Sequence, residues 1–271
     1  MAFKTSFRIF MYQKFVSAVL ITALCFVFSY SAFAKKAPSY YQLTVYNFKT
    51  SDQEKLIDEY LQSALLPALK GMGTKTIGVF KPLSNDTAAI KQVYVLRTIK
   101  DLKQLERENQ KLQKDQSFLT SAGNYWSASS KSPAYARMEN IIIKAFDVAQ
   151  KMTMPNLQSP KQEHIYELRS YEGASERLYN NKVEMFNEGG EVALFARLNF
   201  NAVFYGEVIA GSRMPNLVYM TSFENKAARD AHWNTFRDDP EWKKLAAMPK
   251  YQGNVSRSDI ILMKAAPYSD F

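Results

Sequence analysis

Only one cysteine, Cys25, occurs among the 271 residues, and only two histidines, His164 and His232. From Lys35 onward there is no cysteine at all, which excludes disulfides, thiolate nucleophiles and cysteine-ligated metals from that part of the chain. Two distant histidines do not form a metal cluster. Asp238, Asp239 and Glu241 are close in sequence but read as a helix start, so no metal and no cofactor is expected. Glycine and proline, at 10 each, are too few for a linker-dominated chain. No glycine-rich phosphate loop and no serine nucleophile elbow occur, and Gly189-Gly190 reads as the end of a helix. Lysine and arginine are interspersed with aspartate and glutamate, a poor pattern for nucleic acid. What is present is a globular composition, 46% hydrophobic, 14% aromatic and 23% charged.

The first residues carry Lys4, Arg8 and Lys14 without any acidic residue, then an apolar run from Phe15 to Phe28, then Ala32-Phe33-Ala34. This order predicts a secretory signal peptide over residues 1–34, cut after Ala34. The apolar run is shorter than the roughly 20 residues that span a bilayer, so no transmembrane segment is expected after cleavage. Met11 is an alternative start, because Lys14 and the same run would remain. Ala23-Leu24 before Cys25 lacks the small residue of a lipoprotein site. An exported chain without disulfides points to a periplasmic or extracellular location, in a Gram-negative bacterium. Loss of the three positive charges lowers the formal net charge from +9 to +6, a mild basicity.

The remainder reads as two copies of one unit. Tyr41-Gln-Leu-Thr-Val-Tyr46 is answered by Tyr166-Glu-Leu-Arg-Ser-Tyr171, Ile77–Phe80 by Asn201–Phe204, Val93–Leu96 by Val218–Thr221, and Arg137–Lys144 by Arg257–Lys264. In the first copy an alternating strand over 40–46 precedes a helix opened by the capping box Ser51-Asp-Gln-Glu54, with Pro67 kinking or ending it near Gly71. Strands over 75–80 and 92–99, a helix capped by Asp101 and a strand over 140–146 complete it. The second copy repeats the order with strands over 165–171, 200–209, 216–223 and 258–264. Helices are expected over 178–186, 226–236 and 240–248, the last opened by Asp239-Pro240-Glu241. The domain reading is therefore 38–147, a connector over 148–162, and 163–271. The fold class is α+β: two tandem ferredoxin-like βαββαβ repeats packed as a dimeric α+β barrel, the sheets facing each other over a possible cavity. The duplication lets one chain supply both halves, so an oligomer is possible but not required.

Three stretches of the second copy, Phe200-Asn-Ala-Val-Phe-Tyr-Gly-Glu207, Met214-Pro-Asn-Leu-Val-Tyr-Met-Thr-Ser-Phe223 and Arg229-Asp-Ala-His-Trp-Asn-Thr-Phe236 followed by Asp239-Pro-Glu-Trp242, resemble the NIPSNAP family. The first copy looks like a diverged member, with Asp115-Gln-Ser-Phe118 and Leu105-Glu-Arg-Glu108 in place of the corresponding motifs, and it lacks the histidine. The resemblance implies a dimeric α+β barrel. It implies little chemistry: animal members are linked to mitochondria, vesicle traffic and mitophagy signalling, roles that an exported chain does not inherit by analogy.

Candidate site residues come from strand alternation. Tyr205 and Glu207 lie on the face opposite Phe204, and Arg169 and Tyr171 share a face; with Tyr219 they would line a polar, aromatic pocket inside the barrel. Glu207 is the candidate general base, against the alternative of a structural Glu–Arg pair. His232 is the second catalytic candidate. It shares a helix face with Arg229 but lies about 200 degrees around the helix from Asp230; its alternative is packing beside Trp233. The expected ligand set is Arg169, Tyr171, Tyr205, Glu207, Tyr219, Arg229 and His232. The expected function is binding of a small organic ligand or a protein partner, with a cofactor-free enzyme acting on a small aromatic or carbonyl substrate as the alternative.

Overall fold

The computed structural model describes residues 39–271; the expected signal peptide and Cys25 lie outside them. The first repeat runs β1 (Tyr40–Phe48), α1 (Ser51–Tyr60), a π turn (Leu61–Leu65), α2 (Leu66–Gly71), β2 (Ile77–Pro82), β3 (Lys91–Ile99), α3 (Leu102–Leu112), α4 (Gln116–Trp126) and β4 (Arg137–Ala145). The second runs β5 (Ile165–Glu172), α5 (Glu176–Asn187), α6 (Glu191–Arg197), β6 (Phe204–Ala210), β7 (Asn216–Phe223), α7 (Lys226–Asp238), α8 (Pro240–Ala246) and β8 (Arg257–Ala265).

Within each repeat the fourth strand pairs with the first, the first with the third and the third with the second, all antiparallel. The two sheets then join along their edges, β2 to β8 and β4 to β6, into one closed barrel. This differs from two sheets merely facing each other. Each sheet alone would leave two edges of unpaired backbone groups, and edge pairing satisfies both. The interior is packed: Tyr41, Leu43, Phe80, Tyr166, Phe204 and Met263, among alternate residues of all eight strands, form one apolar cluster that Phe271 completes. The cavity expected there is filled by these side chains.

The outer faces carry the helices, over one core in each repeat. The cap of α1 is Thr50 rather than Ser51: its side chain accepts from the Gln53 amide while Gln53 accepts from the Lys49 amide, a capping box one residue earlier than the sequence suggests. Pro67 is accommodated because the π turn precedes it, and the helix continues to Gly71. Gly190, at φ +86, starts α6 rather than only ending α5. Residues 200–203 are not strand, since Asn199 and Asn201 adopt positive φ and delay β6 to Phe204.

The pairing register sharpens the repeat alignment. Arg137–Lys144 matches Arg257–Lys264 as expected, through their common partners on β1 and β5. Val93 instead matches Leu217, and Phe80 matches Gly206, shifts of one and two residues. Short apolar strings slide against each other without changing their pattern, whereas the ladder does not.

Candidate functional site

The residues expected to line the barrel interior project from the opposite face, into the helix layer of the second repeat. Tyr205 and Tyr219 belong to the core that includes Phe186, Phe195 and Trp233. Odd-numbered residues of β5 point outward because Tyr166 and Leu168 occupy the interior. Glu167, fully buried, accepts from Arg169 Nε at 2.6 Å, from Arg229 Nε at 2.6 Å and Nη2 at 3.0 Å, and from Trp233 Nε1 at 2.8 Å. Arg169 also donates to the Tyr171 hydroxyl at 2.9 Å, which lies 3.0 Å from that of Tyr219, and its guanidinium stacks 3.6 Å above the Trp233 ring. Burial alone would raise Glu167; the hydrogen bonds and charges of Arg229 and Arg169 outweigh it and hold the carboxyl below its usual range.

The structure thus brings together Arg169, Tyr171, Tyr219 and Arg229, around a carboxylate, Glu167, that the sequence reading did not single out. Glu207 is not part of this group. It faces Lys144 at 3.1 Å and Tyr179 at 3.3 Å beside the β4–β6 seam, in a hollow of about 230 Å³. Tyr205 sits at the edge of a cleft of about 600 Å³ under the connector. His232 Nδ1 donates to the Leu198 carbonyl at 3.0 Å, between the rings of Phe200 and Phe223, and so fixes the turn before β6. His164 ties the connector in the same way, 2.8 Å from the Ser159 carbonyl. A second buried pair, Lys182 to Glu191 at 2.8 Å, joins α5 to α6. Among the described residues no group of three or more His, Cys, Asp or Glu could hold a metal, and no helix is long and apolar enough to cross a membrane. As expected, Asp239 caps α8 through the Glu241 and Trp242 amides, and it also holds Arg197.

The equivalent place in the first repeat is open: a cleft of about 680 Å³ lies between the outer sheet face and the helices. The register shows why. Thr44, opposite Val95, stands where the second repeat has Arg169 opposite Tyr219. Counted from the caps Asp101 and Asn225, Asn109 stands where the second repeat has Trp233. Three large side chains are replaced by three small ones, and all three small ones line the cleft.

The charges are rearranged as well. Gln42 takes the place of Glu167, so the acid, Glu108, is now on the helix, while its base, Arg97, is on the sheet as Arg169 is in the second repeat. Arg97, 6% exposed, donates to Glu108 at 2.6 Å, to Gln42 at 2.8 Å and to Thr74 at 3.4 Å, and Glu108 accepts from Gln104 at 2.7 Å. Asn140 Oδ1 accepts from both Gln42, at 2.8 Å, and Thr44, at 2.7 Å. The opposite wall is aromatic: Tyr60 and Tyr125 stack with centroids 3.6 Å apart, and Tyr46 and Tyr135 meet them edge-on or tilted. Burial pushes the Tyr46 hydroxyl up to about 12 and raises Tyr60 and Tyr125 further, so these groups are neutral around pH 7. Trp126, half exposed, and the strap over residues 128–135 form the rim. A residue-by-residue comparison of the two copies in the correct register would have revealed this cleft from sequence.

Two ferredoxin-like units closed into a single barrel define the dimeric α+β barrel class. Within that class, residues 166–270, nearly all of the second repeat, match the NIPSNAP family model. A candidate monooxygenase from Lactobacillus acidophilus NCFM shares the fold with a TM-score of 0.55 at 10% identity, over 84% of this chain and 94% of that one. An anthrone oxidase-like protein does so with a TM-score of 0.50 at 8% identity, over 86% and 93%. A NIPSNAP-like domain protein from Burkholderia xenovorans aligns over 41% of this chain and 91% of its own, at 16% identity and a TM-score of 0.37. No curated protein matches the sequence.

Proposed function

We propose that this is an exported binding protein that takes a small organic ligand into the cleft of its first repeat, while the second repeat keeps the same place filled as structural support. The observation that carries this reading is the replacement of Arg169, Tyr219 and Trp233 by Thr44, Val95 and Asn109, which leaves a space of about 680 Å³. Ligand sites of roughly 300–1,000 Å³ are typical, mostly apolar with a few placed polar groups. The barrel interior is not the site in this reading.

Cofactor-free chemistry on an aromatic or carbonyl substrate is the second reading, favoured by the fold shared with the candidate monooxygenase and the anthrone oxidase-like protein. It ranks below binding because the carboxylate lining the cleft, Glu108, is already held by Arg97 and Gln104, and the buried tyrosines are poor proton acceptors near neutral pH.

The test restores the second repeat's residue: Asn109→Trp fills the cleft from an exposed helix position. Native mass spectrometry of protein purified gently from its own host should show an extra small mass on the unaltered protein and none on Asn109→Trp. An unaltered protein of bare mass, or the same extra mass on both, would contradict the assignment.

A further inference from the structure

This inference rests on the cleft being the ligand site and concerns what it selects. Arg97 and Glu108 are both buried, lie 2.6 Å apart, and line the cleft as its charged residues. A buried guanidinium by itself would be an anion site. Here its charge is cancelled from within, and three of its donors are engaged by Glu108, Gln42 and Thr74. A ligand carboxylate would have to share the space with Glu108, and a ligand cation with Arg97; either meets like charge in a poorly solvated place. Asn140 has its oxygen committed to Gln42 and Thr44, so its remaining polar group is the amide donor. The facing wall offers stacked and edge-on tyrosine rings, which favour a flat π partner over an aliphatic one of equal area.

We infer that the cleft takes a neutral, planar aromatic molecule bearing an oxygen acceptor, such as a hydroxyl or carbonyl, and that Glu108 determines this choice by masking Arg97. Removing the mask turns the same cleft into a carboxylate site. Glu108→Gln keeps an oxygen to accept from Gln104 and leaves the guanidinium uncompensated.

Three probes of one size test this by calorimetric titration: 2-naphthol, 2-naphthoate and decahydro-2-naphthol. On the unaltered protein 2-naphthol is expected to bind about tenfold or more tightly than either of the others. In Glu108→Gln the naphthoate affinity rises by about tenfold or more relative to that of naphthol. Naphthoate or the saturated alcohol matching naphthol on the unaltered protein overturns the inference yet leaves the cleft a ligand site, provided Asn109→Trp abolishes that binding. Binding of all three that Asn109→Trp leaves intact, or binding of none, removes the cleft reading and this inference with it. The probe order on the unaltered protein needs no variant. If Glu108→Gln fails to fold, the double variant Arg97→Gln/Glu108→Gln serves: it must keep the naphthol preference and gain no affinity for naphthoate, and a gain would overturn the masking role.

Discussion

Glu167 stays ionised at zero exposure because two arginines and an indole converge on its two oxygens. Such a group is more dangerous to break than valuable to have, since removing one partner strands the others in a dry place. Glu167→Gln would leave Arg169 without its bonded carboxylate and Arg229 with only the partly exposed Asp230, 2.8 Å away, and a loss of about 3–5 kcal/mol in urea unfolding is expected. The pH dependence has a definite sign. The folded carboxyl sits below its usual value, so as pH falls the unfolded chain takes up the proton first. Stability contributed by Glu167 is intact above the ordinary glutamate value of about 4.3 and declines as pH falls below it toward the folded value. Unfolding midpoints measured from pH 7 to pH 3 should drop at the acid end, and less steeply in Glu167→Gln; parallel curves would show that Glu167 does not carry the effect.

Among the elements, the order of the strands and of the helices that follow β1, β3, β5 and β7 was legible from sequence because Tyr41–Tyr46 and Tyr166–Tyr171 alternate cleanly and because Asp101 and Asp239 announce their helices, whereas α4 and α6 were not expected. The shared face of Arg169 and Tyr171 was legible too, since a strand has a period of two. Which side of the sheet faces the barrel was not, because both faces of these strands are buried and Tyr166 is as apolar a choice for the interior as Tyr171 is for the helix layer. The cleft was hidden for another reason: it arises from small residues at Thr44, Val95 and Asn109, and an absence of bulk becomes visible only against the other copy in correct register. The seam between β4 and β6 depends on small size in the opposite sense. A Cβ on Gly206 would run into Ile143 and the Lys144 carbonyl, so Gly206→Ala should cost about 1–3 kcal/mol by overpacking. An unchanged denaturation midpoint would show that the seam can relax.

For the molecule as a whole, the two repeats share one ladder and one interior, so neither half can leave without exposing two barrel edges and the apolar cluster between them. Residues 39–271 are accordingly expected to unfold in a single transition, with far-UV and near-UV circular dichroism coincident. One chain closes both seams, so the barrel itself needs no second copy; two resolved transitions would mean that the repeats depend on each other less than the barrel implies. Division of labour between an open copy and a filled copy is the central claim, and amide chemical-shift mapping with 2-naphthol tests it most directly. The account predicts shifts gathered at Gln42 to Tyr46, Val95 to Arg97, Glu108 to Gln113 and Tyr125 to Tyr135, with Glu167 to Tyr171 and Arg229 to Trp233 unmoved. Shifts centred on the second repeat's Glu167 cluster, or on the cleft beneath the connector, would contradict it.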